Sequence, residues 1–324
     1  MSNARLKCVV LDDYQSAAAA MADWDRLGAR VAVEFETRAL TDDARLLARL
    51  VDAEIIVANR ERTPFGAARL AALPKLKLLV TTGMGNAAID MEAASARGIT
   101  VSGTGNAGAP TAELTWALIL GLSRQIVREA NGLKEGQWQQ TLGMALRGKV
   151  LGLVGLGRVG LAVAAIGHAF GMQVLAWSPR LDDARAAEAG VIRAASLEQM
   201  FEKADVISLH ATLNPASRGL VDAGLIGRMK PNAYLINTAR AGLVDEVALI
   251  AALQAKAIAG AGVDVFDVEP LPADHGLLAL PNVLATPHLG YVTDDNYAAY
   301  FGDAVENIAS WLEGRPIRVL NLVP

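Results

Sequence analysis

The sequence predicts an α/β protein built from two doubly wound parallel-sheet domains. Three observations carry that prediction. The chain has 324 residues, too many for one core of ordinary size. Its short Val-, Ile- and Leu-rich runs are apolar on both faces, as parallel strands covered by helices must be. Between those runs lie helical segments with their own start and stop signals.

In the first hundred residues the expected strands are 6–11, 31–35, 54–58, 76–81 and 99–102. The stretch "TDDARLLARLVD" is expected to open a helix on Thr41 as its N-cap, and "NAAIDMEAASARG" to close one at Gly98. Residues 110–128 predict a single helix apolar nearly all round, buried between domains or in a subunit contact. A polar, glycine-bearing segment, "NGLKEGQWQQTLGMALRG", separates it from a second alternating series. There the expected strands are 150–154, 173–177, 205–209, 233–237, 260–265 and 283–285. The last helix, 293–312, carries Phe301, Val305, Ile308 and Leu312 at spacings of three or four, and a short apolar tail is expected to return to the first domain.

Bulk properties narrow the function. A hydrophobic content of 52% with 20% charged residues excludes a disordered chain, and a net charge of -4 offers no footprint for nucleic acid or anionic membrane. Cys8 is the single cysteine, so an internal disulfide and a zinc–thiolate cluster are excluded, and no His or carboxylate group has metal-ligand spacing. The start "MSNARLKCVVLDDY" has no signal-peptide pattern, and "ELTWALILGLSRQIV" meets charge too soon to span a bilayer. A cytoplasmic protein is expected.

Three stretches fit GxGxxG or GxGxxA, beginning at Gly83, Gly103 and Gly155. The pattern alone is weak, so context must choose. Only "KVLGLVGLGRVGLAVAAIGHAFG" runs strand, glycine turn, helix. Gly155 permits the turn, Gly157 the approach of a pyrophosphate and Gly160 close helix–strand packing, with Arg158 and Val159 between them at the helix start. Residues 103–108 reach Pro110 before any helix and read as an interdomain linker and hinge. The loop at Gly83 follows a buried strand, so exposed amides there would hold a small anion; a plain turn is the equal alternative.

In open α/β sheets the chemistry lies beyond the carboxyl ends of strands. "AYLINTARAGLVDE" puts Arg240 at such an end, "GAGVDVFDVEPLP" puts Asp264 and Glu269 at the next, and "NVLATPHLGY" puts His288 after the last. Arginine grips a carboxylate in bidentate fashion, and histidine carries a proton while a carboxylate behind it holds its ring. His210 ends a strand facing the expected cofactor cleft.

At these residues the chain resembles the D-isomer-specific 2-hydroxyacid dehydrogenases. The resemblance runs nearly end to end and is most specific in "LRGKVLGLVGLGRVG", "MKPNAYLINTARAGLVDEVALIAAL", "GAGVDVFDVEP" and "LPNVLATPHLG". It implies a Rossmann cofactor domain (105–293) inserted into a flavodoxin-like substrate domain (1–104 plus 294–324). It implies Arg240 as carboxylate binder, Glu269 as partner of the imidazole and His288 as acid/base. It implies substrate contacts from Met84 and Gly85, and nicotinamide contacts from Thr111, Thr238, Ala239 and Asp264. It also implies a homodimer joined through the cofactor domain, with an arm around Trp138. The chain departs from the family pattern at Ala241, where glycine is usual, and at Ser178.

Ser178 ends the second cofactor-domain strand, where a carboxylate would bond the ribose 2′-hydroxyl. "VLAWSPRL" offers Ser178 and Arg180 instead, so NADP is slightly favoured over NAD, with Asp182 and Asp183 close enough in sequence to serve the ribose. Arg60 and Arg62 in "NRERTPF" border the cleft from the first domain; either reads a second polar group of the substrate or sits in a solvated loop. His168 reads as a packing or surface residue and His275 as an exposed loop residue. The reaction expected is hydride transfer between NAD(P)H and a 2-oxo acid of the phosphoglycerate, glyoxylate or hydroxypyruvate type. The alternative is a non-catalytic dinucleotide-sensing protein on the same scaffold, of the corepressor kind.

Overall fold

The computed structural model describes residues 5–321. The chain divides into two compact units, one formed by residues up to Gly108 with those from Thr293 onward, the other by Ala109–Val292. Residues 1–4 and 322–324, which the sequence assigned to the first domain, lie outside the described residues.

In the first unit β1 (Leu6–Val10), β2 (Val31–Phe35), β3 (Ile55–Ala58), β4 (Leu78–Thr81) and β5 (Thr100–Gly103) form an all-parallel sheet in the order β2-β1-β3-β4-β5, the flavodoxin-like order. Val9, Ile56, Leu79 and Val101 share a core with Leu46 and Leu50 of the helix Asp43–Leu50. The long helix Asp294–Leu312 packs on β4 and on the 3₁₀ segment Trp24–Arg30, with Phe301 and Ile308 fully buried. The tail does return: Val319 bridges Ser102 antiparallel, and Leu320 N–H donates to Val101 O at 2.8 Å.

One local expectation for this unit needs correction. The helix at residue 43 is capped by Asp42, not Thr41: the Asp42 carboxylate accepts from Arg45 N–H at 2.8 Å. A carboxylate there also answers the positive end of the helix dipole, which a hydroxyl does not. The segment after Gly103, read as an interdomain linker, runs to the boundary between the units at Gly108. Gly105 N–H donates to Asp303 Oδ2 at 2.7 Å and Ala107 N–H to Asn296 Oδ1 at 3.0 Å, both on the long helix.

The second unit holds β6 (Val150–Val154), β7 (Gln173–Trp177), β8 (Ile192–Arg193), β9 (Val206–Leu209), β10 (Tyr234–Asn237), β11 (Gly260–Val263) and β12 (Val283–Ala285) in a parallel sheet ordered β12-β11-β10-β9-β6-β7-β8. The order reverses beside β6, the topological switch point of a Rossmann sheet. Side chains alternate between two cores. Leu151, Leu153, Val174 and Ala176 join Trp116 and Val163 on one face. Val154, Leu175, Leu209 and Leu235 join Met200 and Phe201 on the other. Because both faces are covered, the strands read as unbroken apolar runs rather than alternating ones.

The helix expected over 110–128 is two helices, Pro110–Ser123 and Ile126–Lys134, broken at Gln125 with φ 51°. The cause is long-range. The chain comes back at Gly143, and Met144 N–H donates to Ser123 O at 2.7 Å, satisfying a helix-end carbonyl. The first helix is buried against its own unit's sheet, with Trp116 Nε1–H donating to Val163 O at 3.2 Å.

Candidate active site

Beyond β6 the glycine loop forms a cradle. Gly155 adopts φ +100°, and a Cβ there would lie 2.8 Å from the backbone of His210 and Ala211. A Cβ on Gly160 would lie 2.3 Å from Gly155 O, so only glycine lets the helix Arg158–Ala169 start so close to the turn. Nothing lies within 4 Å of a Cβ built on Gly157, which leaves its amide face open to a phosphate at a helix N-terminus. A cavity of about 510 Å³ adjoins this loop, lined among others by Gly157, Ser178, Arg180, Arg185 and His210. These residues fit a dinucleotide: a glycine turn, a helix start and guanidinium groups where phosphates would sit. Arg158, at the helix start, is exposed, and Val159 is half-buried.

The two acids weighed for the ribose are engaged elsewhere. Asp182 caps its own helix by accepting from Arg185 N–H at 2.8 Å, and Asp183 pairs with Arg193 at 3.4 Å. Arg185 itself was not foreseen; its guanidinium reaches Leu156 O at 3.4 Å, beside the glycine turn. The Asp182 cap is the signal that places it, since it sets Arg185 in the first turn of the helix. His210 bonds Ser208 Oγ through Nε2 at 2.9 Å, and burial pushes its imidazole down from 6.5 to about 4.

At the end of β10, Asn237 pins the turn that carries Arg240. Its Oδ1 accepts from Ala239 N–H at 3.1 Å and its Nδ2–H donates to Arg240 O at 3.0 Å. Thr238 shares a buried hydroxyl–hydroxyl bond of 2.8 Å with Thr115, and Thr111 Oγ1–H donates to Gly290 O at 2.8 Å. At the end of β11, Asp264 is fully buried and accepts three hydrogen bonds, from Thr286 Oγ1 at 2.6 Å, Leu289 N–H at 2.7 Å and Gly290 N–H at 2.9 Å. Burial raises its carboxyl above the usual carboxylate range, against the pull of those donors. Thr115 and Thr286 carried no sequence signal, because their partners lie 123 and 22 residues away.

Glu269 and His288 come together beside these groups. Glu269 Oε2 lies 2.7 Å from His288 Nδ1, while Oε1 accepts from Phe266 N–H at 3.0 Å. A carboxylate can only accept when ionised, so the ring hydrogen between the two sits on Nδ1. His288 adopts φ +54°, a conformation of the left-handed region that β-carbon-bearing residues hold only when their surroundings enforce it. The ring of Tyr291 meets the imidazole edge-on at 5.6 Å.

In the first unit, Gly83 turns at φ +91° and its N–H is taken by Thr104 Oγ1 at 2.8 Å, so the exposed amide expected there is absent at Gly83. Met84 and Gly85 are the exposed residues of that turn. Arg60 packs where a Gly83 side chain would lie and donates to Thr82 O at 3.1 Å; Arg62 lies over the Tyr14 ring at 4.8 Å. His275, expected as a surface residue, is half-buried, with Nε2 facing Glu246 Oε1 at 3.1 Å. Among the described residues no group of three His, Cys, Asp or Glu is arranged to hold a metal ion, and no helix is long and apolar enough to cross a membrane.

Comparison with known proteins decides the family. Residues 116–290 match the model of the D-isomer specific 2-hydroxyacid dehydrogenase, NAD binding domain. A glyoxylate reductase from Aeropyrum pernix is 36% identical over 256 residues, 76% of each chain. This chain belongs to the D-isomer-specific 2-hydroxyacid dehydrogenase family. A D-3-phosphoglycerate dehydrogenase from Mycobacterium leprae is 38% identical over 281 residues, covering 84% of this chain. The chain spans about half the length of that relative, 52% of it being matched. A phosphoglycerate oxidoreductase from Vibrio cholerae O395 superposes with a TM-score of 0.91 at 39% identity, over 95% of this chain and 99% of that chain. The second unit of this family member is thus a domain for a nicotinamide dinucleotide.

Proposed function

We propose that this chain catalyses reversible hydride transfer between NAD(P)H and a 2-oxo acid, the reduced product being the D-2-hydroxy acid. The observation that carries the reading is the 2.7 Å bond between His288 Nδ1 and Glu269 Oε2 in the same unit as the glycine cradle. The bound dinucleotide supplies the hydride; the chain's own residues bind, orient and move a proton. In reduction Arg240 grips the substrate carboxylate and stabilises charge growing on the C2 oxygen. His288, protonated on both nitrogens, gives the Nε2 proton to that oxygen, and Glu269 stabilises the imidazolium beforehand. Oxidation runs the same transfers backwards. Thr238, Ala239, Thr111 and Asp264 form the floor against which the nicotinamide is held. The exposed turn at Met84 and Gly85, with Arg60 behind it, supplies further substrate contacts.

For the dinucleotide, the reading favours NADPH over NADH. Ser178, Arg180 and Arg185 line the cavity, and Asp182 and Asp183 are occupied by a helix cap and an ion pair. Without a carboxylate to repel it, a ribose 2′-phosphate meets two guanidinium groups. The enzyme acts in the cytoplasm as a homodimer. Exposed Leu133, Trp138 and Leu142 of the second unit, 58%, 73% and 100% exposed, are the surface a second copy covers. Sedimentation of the wild type and of Trp138→Glu tests the dimer.

The catalytic reading is tested by a screen of glyoxylate, hydroxypyruvate and phosphohydroxypyruvate with NADH and NADPH, followed by nicotinamide absorbance. Turnover of at least one pair is expected, and His288→Ala lowers kcat by on the order of 10²–10⁴ while dinucleotide binding survives. Turnover unchanged in that variant overturns the assignment.

A further inference from the structure

We propose that His275 is a positioning residue: with Glu246 it anchors the loop that presents Glu269 to His288. The inference rests on the reading of His288 and Glu269 as the acid/base pair. The loop between β11 and the 3₁₀ segment Gly276–Ala279 is mostly exposed at Asp267, Val268, Pro270, Pro272, Ala273 and Asp274. Inside it the buried anchor is Phe266, 7% exposed, whose N–H holds Glu269 Oε1 at 3.0 Å. His275 closes the far end of the loop and touches this anchor, its ring meeting Phe266 edge-on at 6.4 Å.

The bonds of His275 fix its orientation. Nδ1 accepts from Leu277 N–H at 3.4 Å, which puts the ring hydrogen on Nε2, and Nε2 faces Glu246 Oε1 at 3.1 Å. Glu246 is the first residue of the helix Glu246–Gln254, whose cap is Asp245. A contact series therefore runs from that rigid helix through His275 and Phe266 to the Oε1 side of Glu269, leaving Oε2 for His288. Proton transfer from Nε2 of His288 depends on ring orientation, and misplacement by an ångström costs on the order of a hundredfold in rate. A free loop end would let Glu269 wander by that much.

The test uses the full chain with two independent readouts. The first is the low-field imidazole N–H proton resonance of His288 by NMR, assigned by its absence in His288→Gln. The second is kcat and KM with NADPH and whichever oxo acid the screen identifies. Glu246→Ala removes the tether from a half-buried helix position without touching the dyad, and His275→Asn removes it from the other end. Both are expected to broaden or abolish the resonance and to lower kcat on the order of tenfold, with KM for NADPH within about twofold. The double variant shows no more than either single one, and Glu246→Gln, which keeps an acceptor oxygen, restores both readouts. A wild-type resonance and kcat in folded Glu246→Ala overturn the proposal, as do multiplying effects in the double variant or a wild type lacking the resonance. If His275→Asn does not fold, Glu246→Ala decides alone. A chain that shows the resonance and turns over no oxo acid defeats the proposed function instead, and the spectroscopic arm still decides the role of His275.

Discussion

Acidification tests the glycine cradle through His210. Its imidazole stands under the glycine loop, bonded to Ser208, and burial lowers its ionisation from 6.5 to about 4. The folded chain therefore holds it neutral, while the unfolded chain takes up a proton below about pH 6.5. Folding stability is fully present above that value and is lost as pH falls toward 4, because the unfolded state then binds more protons. At 1.36 kcal/mol per unit the whole shift is worth ~3 kcal/mol, and ~2 kcal/mol of it is gone by pH 5. Solvent reaching the cavity side of the ring brings the expectation to about 1–2 kcal/mol between pH 7 and pH 5. Urea unfolding of the wild type and of His210→Asn at both values measures it, since the variant has no group to titrate there and other residues cancel in the difference. A pH-dependent loss equal in the two proteins, within about 0.5 kcal/mol, would refute the neutral buried imidazole.

Gly160→Ala drives a methyl to 2.3 Å from Gly155 O and is expected to cost ~1–3 kcal/mol, read as a drop in Tm of several degrees, and to weaken dinucleotide binding at least tenfold by fluorescence titration. Gly157→Ala has free space for its methyl, so it weakens binding with Tm unchanged; equal Tm losses in the two would contradict the division of roles. Glu269→Gln keeps the shape but not the charge behind His288, and kcat is expected to fall on the order of 10–10³ with KM for the dinucleotide unmoved. Arg180→Ala is expected to raise KM for NADPH about tenfold and leave NADH alone; a strong NADH preference indifferent to the substitution ends the 2′-phosphate reading.

What the sequence disclosed follows the range of the forces involved. The strands of a doubly covered sheet are apolar runs whatever their neighbours, and β2, β6, β7 and β12 fall where composition placed them. β8 did not announce itself, because two residues are too short for any period to show. The break at Gln125 was hidden for a different reason. No glycine or proline marks it, and the helix stops where Met144, remote in sequence, reaches the carbonyl of Ser123. Strand-end residues were legible as candidates because the chemistry of an open sheet gathers at carboxyl ends. Their pairing was not legible from the residues themselves: Glu269 and His288 are 19 residues apart, with β12 between them, and only the parallel register of β11 and β12 closes that gap. His275 reads from the loop alone as exposed, because its partner, Glu246, lies 29 residues back on a helix.

One strand end organises the Glu269–His288 pair from both sides. After β11 the chain gives Asp264, then Phe266, then Glu269. Asp264 reaches across to the loop after β12, taking Thr286 Oγ1–H and the amides of Leu289 and Gly290, the residues that bracket His288. Phe266 holds Glu269 by Oε1. His288 thus has its backbone fixed by Asp264 and its ring fixed by Glu269, two acids five residues apart on one segment. The left-handed backbone of His288 costs on the order of 1–3 kcal/mol, and three hydrogen bonds to a buried carboxylate are of a size to offset it. Loosening Asp264 would therefore let the backbone of His288 relax while Glu269 stayed in place. Thr286→Val, which removes one of the three donors and keeps the side-chain volume, separates backbone from ring control. It should lower kcat less than Glu269→Gln does and leave the low-field N–H resonance of His288 visible.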